Sequence, residues 1–279
     1  MRYRLAAFAD EASGRLDEQI RAMKENGVEM LEIRGVDGKN VAELTAREAG
    51  EVRRRLDDAG IKVWSIGSPY GKILMKDDFG AHLESFKRTL EVADVLGAQH
   101  FRMFSFYGTK EVSDAAGVIF DAVAARIQRF VDAAAGSGVM LCHENEKGIY
   151  GDTAAKCRRI HEAFPSIRAI FDPANFVQCS QDTLEAWDML EPYVEYMHIK
   201  DADEDGFVVP AGCGIGHVPE IIQKYKGRVL TVEPHLTVFP GFDRLERSEQ
   251  MKLKFRYPDS FTAFAAAVDA VKNIIGEGE

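Results

Sequence analysis

Residues 139–172, VMLCHENEKGIYGDTAAKCRRIHEAFPSIRAIFD, decide how the chain folds. The stretch opens on a short, largely apolar run at 139–144 and closes on a second at 167–172. Between them, 152–164 begins on an aspartate and continues with the spacing of an amphipathic helix, an expected helix start. Two buried-looking strands joined by one helix make a parallel crossover unit. Each strand ends on acid, at Glu144 and at Asp172. A charge removed from water is costly unless something pairs with it. Either these carboxylates reach solvent, or a positive partner meets them at the strand ends.

The same alternation continues outward in both directions. Strands are expected at 3–9, 29–34, 61–67, 98–106, 194–200 and 228–234, which with the two above makes eight. Helical patterns separate them at 14–27, 42–60, 81–97, 120–138, 152–164, 182–190, 217–227 and 260–276. Leu16, Ile20 and Met23 mark one apolar stripe, and Leu83, Phe86, Leu90 and Val95 another. Asp or Ser at the starts and glycine past the ends supply the usual punctuation. Strand–helix alternation calls for a parallel sheet with helical crossovers. Eight units in about 250 residues is the size of an α/β (β/α)8 TIM barrel, expected here as one domain over residues 1–279. A doubly wound open sheet would carry a Gly-x-Gly-x-x-Gly turn after its first strand, where this chain has FADEASG. The glycine-rich GCGIG at 212–216 follows the seventh strand and lacks the lysine of a P-loop.

Composition narrows the function. The chain has 279 residues, is 46% hydrophobic and 29% charged, and carries a net charge of −10. That acidity argues against nucleic acid and anionic membranes as partners. No apolar run approaches the ~20 residues of a membrane span, and acid appears too early for a secretory signal. A cytoplasmic protein is expected. The four cysteines form no Cys-x-x-Cys pair, so they are read as reduced thiols, with Cys213 incidental in its glycine loop.

In a barrel of this type the active site lies where strands finish. Strands five to eight finish at Glu144, Asp172, His198 and Glu233. Side chains two apart on a strand share a face. Cys142 therefore goes with Glu144, Ile170 with Asp172, Tyr196 with His198 and Lys200, and Thr231 with Glu233 and His235. Singly, each has an ordinary explanation. Asp172 before Pro173 suits a helix cap, Glu233 before Pro234 suits a solvated loop, and a lone His198 suits a satisfied polar residue. Lys200 and Asp201 could form a surface pair. Four such residues on successive strands at one level are harder to dismiss. Three carboxylates cannot gather in a low-dielectric site without a partner, and an O3N donor set suits Mn²⁺, Mg²⁺ or Zn²⁺. One divalent metal ion is the expected cofactor. Lys200 shares the face of His198 and is a candidate for contact with substrate oxygens. His235 and Glu32 are weaker inward candidates, and Arg102 is another whose parity Phe101 and Met103 leave open.

At these residues the chain resembles the xylose isomerase-like TIM barrels, the sugar phosphate isomerase/epimerase superfamily. LCHENEKGIYGD, FDPANFVQ, YMHIKDAD and TVEPHL carry the likeness, with FADEAS and GCGIGHVP in support. The resemblance implies a metal held at the barrel mouth by Glu144, Asp172, His198 and Glu233. It also implies a small carbohydrate substrate and a tendency to form homo-oligomers. The chain has Asn175 where ketose 3-epimerases of the family have histidine, and its KDADEDG lacks their arginine. Lys200 is closer to the inosose dehydratase pattern. Endonuclease IV, with the same fold, needs three metals and many histidines, whereas this chain has seven. The expected activity is isomerisation or epimerisation of a keto-sugar or sugar phosphate through an enediolate. Glu144 and Glu233 are the acid/base pair, since strands five and eight can flank a substrate from opposite sides. Dehydration of a keto-polyol such as an inosose is the alternative within enzymes, and a non-catalytic sugar-binding barrel the alternative outside them.

Overall fold

Each expected strand forms, trimmed at its ends. The computed structural model describes residues 3–109, 117–238, 254–276 and 278. The barrel strands are β1 (Arg4–Ala7), β2 (Met30–Ile33), β3 (Lys62–Ile66), β4 (His100–Met103), β5 (Met140–Glu144), β6 (Arg168–Phe171), β7 (Val194–Ile199) and β8 (Val229–Val232). Every neighbouring pair is parallel, and β8 pairs back onto β1, Arg4 opposite Val229 and Ala7 opposite Val232, so the sheet closes. Closure leaves no unpaired strand edge.

The helices are α1 (Leu16–Glu25), α2 (Ala46–Asp58), α3 (Phe79–Leu96), α4 (Val118–Ala134), α5 (Ala154–Ala163), α6 (Pro173–Gln178), α7 (Thr183–Leu190), α8 (Val218–Lys224) and α9 (Ser260–Ile275). Their starts follow from local chemistry. Thr45 and Glu48 form a reciprocal capping box on α2, and Asp78, Asp182 and Asp259 cap α3, α7 and α9. Each cap satisfies backbone N–H groups that the first turn leaves without partners. Gly97 ends α3 at φ 71°, a left-handed conformation that favours glycine. α3 buries Leu83, Phe86 and Leu90, as their spacing predicts. The short α6 escapes sequence reading because six residues are too few to show a helical period.

Two apolar layers result. The outward strand faces pack on the helices through Leu31, Phe101, Phe171, Met197 and Val232. The inward faces meet in a smaller cluster of Ala6, Met30, Cys142, Ile170, Tyr196 and Val229, with Trp64 packed against it. This inner cluster plugs the lower barrel, so only the end where the strands finish is open to chemistry. Two antiparallel ribbons elaborate that end: Gly35–Val36 with Lys39–Asn40 after β2, and Asp201–Ala202 with Val208–Val209 after β7. The turn after β3 is pressed onto the end of β4. A Cβ on Gly71 would lie 2.1 Å from the Phe104 carbonyl oxygen, and the Gly71 carbonyl accepts from Phe106 N at 2.9 Å.

Candidate metal centre

The inward faces of β5 to β8 deliver Glu144, Asp172, His198 and Glu233 to one place. One donor atom from each lies within 4.8 Å of the others, and all four side chains are buried. Asp172 fulfils both of its sequence readings at once. Its Oδ1 caps α6 by accepting from Asn175 N at 2.9 Å, while Oδ2, buried and without an aligned hydrogen bond, faces the cluster. The Asn145 side chain accepts from Asp172 N and donates to Asp172 O, both at 2.9 Å, and so holds the end of β6 against β5.

His198 is gripped at both nitrogens. Nδ1 lies 2.9 Å from Glu144 and Nε2 3.1 Å from Glu32. Burial disfavours the imidazolium, but Glu144 and Glu32 outweigh it and raise His198 to about 10. Lys200 Nζ lies 2.9 Å from both Asp172 Oδ2 and Glu233 Oε2. Burial works against that ammonium, yet the surrounding carboxylates hold its pKa well above the usual value. Arg102 faces inward, which settles its parity: it donates to Glu144 at 3.0 Å and to the Gly67 and Ser68 carbonyls. Burial pushes Asp172 up to about 7, only partly countered by Lys200. Burial acts on Glu144 the same way, but His198 and Arg102 overcome it and bring it to about 2.

Two expectations change in the structure. Glu32 is fully buried behind His198, with Oε1 accepting from the Tyr196 hydroxyl at 2.9 Å and Oε2 against Nε2. Both of its oxygens are engaged inside the barrel, by the imidazole on one side and by Tyr196 and Ser65 on the other. Asp201 is no surface partner of Lys200. It is completely buried and accepts from the backbone of Ala202 and of the glycine loop. His235 does reach the mouth, its backbone N–H donating to Glu11 at 2.6 Å and Nδ1 lying 3.8 Å from Glu233.

Sequence reading missed Arg34, Asp10 and Glu11. Arg34 is buried and donates to both oxygens of Asp10 at 2.8 and 3.0 Å, to Glu11 at 2.9 Å and to Glu233 at 3.3 Å. The signal was present, since Arg34 stands two residues after Glu32 on the same parity. Asp10 and Glu11 lie in a 3₁₀ turn after β1, where strand parity gives no guidance. The Phe8 ring fills the space between the two guanidiniums, 4.5 Å from Arg34 and 4.9 Å from Arg102.

The mouth therefore holds six buried carboxylates, Asp10, Glu11, Glu32, Glu144, Asp172 and Glu233, against the basic side chains Arg34, Arg102 and Lys200 and the protonated imidazole of His198. The excess is negative and out of water, a condition a bound cation relieves. Three carboxylates and one imidazole within 4.8 Å are a donor set that fits one divalent ion.

A family model described as xylose isomerase-like TIM barrel matches residues 20–250. Among solved structures, an L-ribulose 3-epimerase superposes with a TM-score of 0.74 at 17% identity, over 98% of this chain and 95% of that one. The probable 3-DHS dehydratase AsbF of Bacillus anthracis gives 0.73 at 17% identity, over 98% and 99%. The IOLI protein with a bound zinc atom gives 0.72 at 14%, over 99% of both chains. At such identities these likenesses establish the fold alone. No match was found among curated proteins.

Proposed function

The chain belongs to the xylose isomerase-like TIM barrel family, and on that premise we propose that it is a divalent-metal-dependent isomerase or epimerase of a small keto-sugar. One observation carries the reading: four donors from four successive strands lie within 4.8 Å at the open end of the barrel. Glu144, Asp172, His198 and Glu233 would hold the ion. When bound, it supplies Lewis acidity that polarises a substrate carbonyl and acidifies the neighbouring C–H, worth several kcal/mol.

The remaining steps fall to the chain's own side chains. Glu144 and Glu233 approach the mouth from non-adjacent strands, with different partners: Arg102 and His198 for one, Lys200 and Arg34 for the other. One takes the α-proton to give an enediolate and the other returns a proton to the opposite side. Lys200 stays protonated, so it serves as a donor to a developing oxyanion and not as a base. Arg102 and His235 border the same space as donors to substrate hydroxyls. Glu32 fixes the orientation of His198, an arrangement in which a metal-ligating imidazole hands its other N–H to a carboxylate.

Lys200, held at 2.9 Å from Glu233, also favours a second reading. The same enediolate loses a β-hydroxyl if an ammonium can protonate the departing oxygen, which gives dehydration. Metal-loaded protein incubated in D2O with ketoses and keto-inositols separates the branches. Deuterium at the α-carbon of recovered sugar is the outcome expected of the isomerase or epimerase. A growing enone absorbance instead marks the lyase. Sugar binding with neither change, unaltered in Glu144→Gln, would leave only a binding barrel and end the proposal.

A further inference from the structure

A largely buried ion pair stands at the rim of the mouth, and the metal chemistry above gives it no task. Lys72, in the turn after β3, and Glu146, two residues past β5, meet over the end of β4, the strand between them, with Nζ 2.7 Å from Oε2. Only 12% and 8% of these side chains is exposed. Both are firmly placed. The chain around Lys72 runs beside the continuation of β4: Phe104 N donates to Tyr70 O at 2.8 Å, Phe106 N to Gly71 O and Tyr107 N to Ile73 O, both at 2.9 Å. The Lys72 ammonium lies 4.5 Å from the centre of the Phe104 ring, which Arg102 approaches at 5.0 Å. Glu146 Oε1 accepts from Lys147 N at 2.9 Å, and its charge helps to hold the Lys200 ammonium protonated. The pair therefore adjoins Arg102 through Phe104 and Lys200 through the field of Glu146. Those are the cations that contact Glu144 and Asp172.

A structural role does not account for the charges. Main-chain bonds already tie these loops together, with Tyr150 N donating to Phe106 O at 3.1 Å as a further link. Taking two charges out of water costs much of what their attraction returns, and a well-packed apolar pair of similar volume commonly does as well. What the charges add is recognition. An ammonium has three N–H donors and a carboxylate oxygen has two lone pairs. A hydroxyl entering beside them can accept from Lys72 and donate to Glu146 while the two stay partnered. We propose that Lys72 and Glu146 clamp a substrate hydroxyl remote from the reacting carbonyl and so select among stereoisomers of the sugar chain. This rests on the keto-sugar reading above and adds a subsite to it. Lys72 is linked to Glu144 through Phe104 and Arg102, which sets the clamped hydroxyl apart from the carbonyl that the ion would polarise.

The test assays the metal-loaded full chain for α-proton exchange in D2O with D-fructose, D-psicose, D-sorbose and D-tagatose, which differ only in configuration at C3 and C4. Lys72→Met and Glu146→Gln should each raise the KM of the best of these sugars at least about tenfold with kcat unchanged, the mark of a contact made equally in ground and transition states. Both should also narrow the spread of kcat/KM across the set. An unchanged KM in both variants overturns the inference, because a merely structural pair behaves in that way. A fall in kcat with KM unchanged overturns it too, because the pair then acts on the reacting atoms. If Lys72→Met does not fold, Glu146→Gln is read alone. If neither folds, the pair is structural and the inference is wrong. Exchange with none of the sugars in wild type counts against the keto-sugar reading, and a binding measurement then decides on the clamp. Metal-loaded wild type and Glu146→Gln are titrated by calorimetry with D-glucitol, a polyol without a carbonyl. Binding at least about tenfold weaker in the variant supports the clamp. Equal binding, or none to the wild type, overturns it.

Discussion

On β5, Cys142 points into the lower barrel and Glu144 into its mouth; on β6 the pair is Ile170 and Asp172, and on β7 Tyr196 and His198. The members of each pair are two residues apart and share a face, so one pleat of about 6.6 Å separates an apolar plug from a charged centre. Below, the side chains meet through apolar packing. Above, six buried carboxylates face Arg34, Arg102, Lys200 and a protonated His198. The lower level is what makes the upper one effective, because it closes the barrel to water from beneath and keeps the dielectric low where charges meet. The two levels should accordingly respond to substitution in opposite currencies, stability below and chemistry above.

The sharpest separation is expected from Glu144→Gln. α-Proton exchange should fall by about 10²–10⁴-fold, while the metal-free protein still folds, with a lower denaturation midpoint because Arg102 and His198 lose a buried partner. A large loss of stability with little loss of exchange would break the division between levels. Ile170→Ala in the plug should do the reverse, costing about 2–5 kcal/mol in urea unfolding with metal affinity measured by calorimetry unchanged. Between these stands Glu32→Gln, at a carboxylate bonded to His198, Tyr196 and Ser65. Metal affinity should drop about 10–100-fold with the fold retained, the usual cost of losing a carboxylate behind a ligating imidazole. An unchanged affinity would show that Glu32 belongs to the plug and not to the centre.

Acidity gives the smallest and most diagnostic effect. His198 is raised from its ordinary value near 6.5 to about 10 in the metal-free protein. The stability that proton contributes is complete below about 6.5 and is lost as pH rises through about 10. Asp172, raised from 3.8 to about 7, acts in the same direction at lower pH, its contribution being lost as pH rises from about 4 to about 7. The metal-free protein should therefore lose stability from neutral to alkaline pH. Metal binding at pH 7 should release at least the His198 proton, because the ligand form of imidazole is neutral. Titration in two buffers of different ionisation enthalpy reads that proton directly. Zero release would remove His198 from the centre.

Much of this was legible in the sequence, and the boundary of legibility has a physical cause. Alternation along strands placed Glu144, Asp172, His198 and Glu233 on the inward face, and the structure brings them together. The same rule applied to β2 would have found Arg34. It could not find Asp10 or Glu11, which a 3₁₀ turn presents. It could not assign Glu32 either, because parity says that a side chain points inward and not how deep it lies or what stands in front of it. Asp201 read as a surface charge because its partners are backbone N–H groups eleven to fifteen residues away, and these leave no mark in composition beyond the glycines themselves.

The Asn145 amide has one more implication. By accepting from Asp172 N and donating to Asp172 O, it imitates a peptide group and adds a rung to the β5–β6 ladder just past the last residues those strands pair. Asn175 Nδ2 bolts the rung from the other side through the Asn145 carbonyl, at 3.0 Å. The spacing of Glu144 and Asp172 is thereby set by a rivet that carries no charge and is indifferent to the ion. The claw can be emptied and refilled without its first two fingers drifting apart.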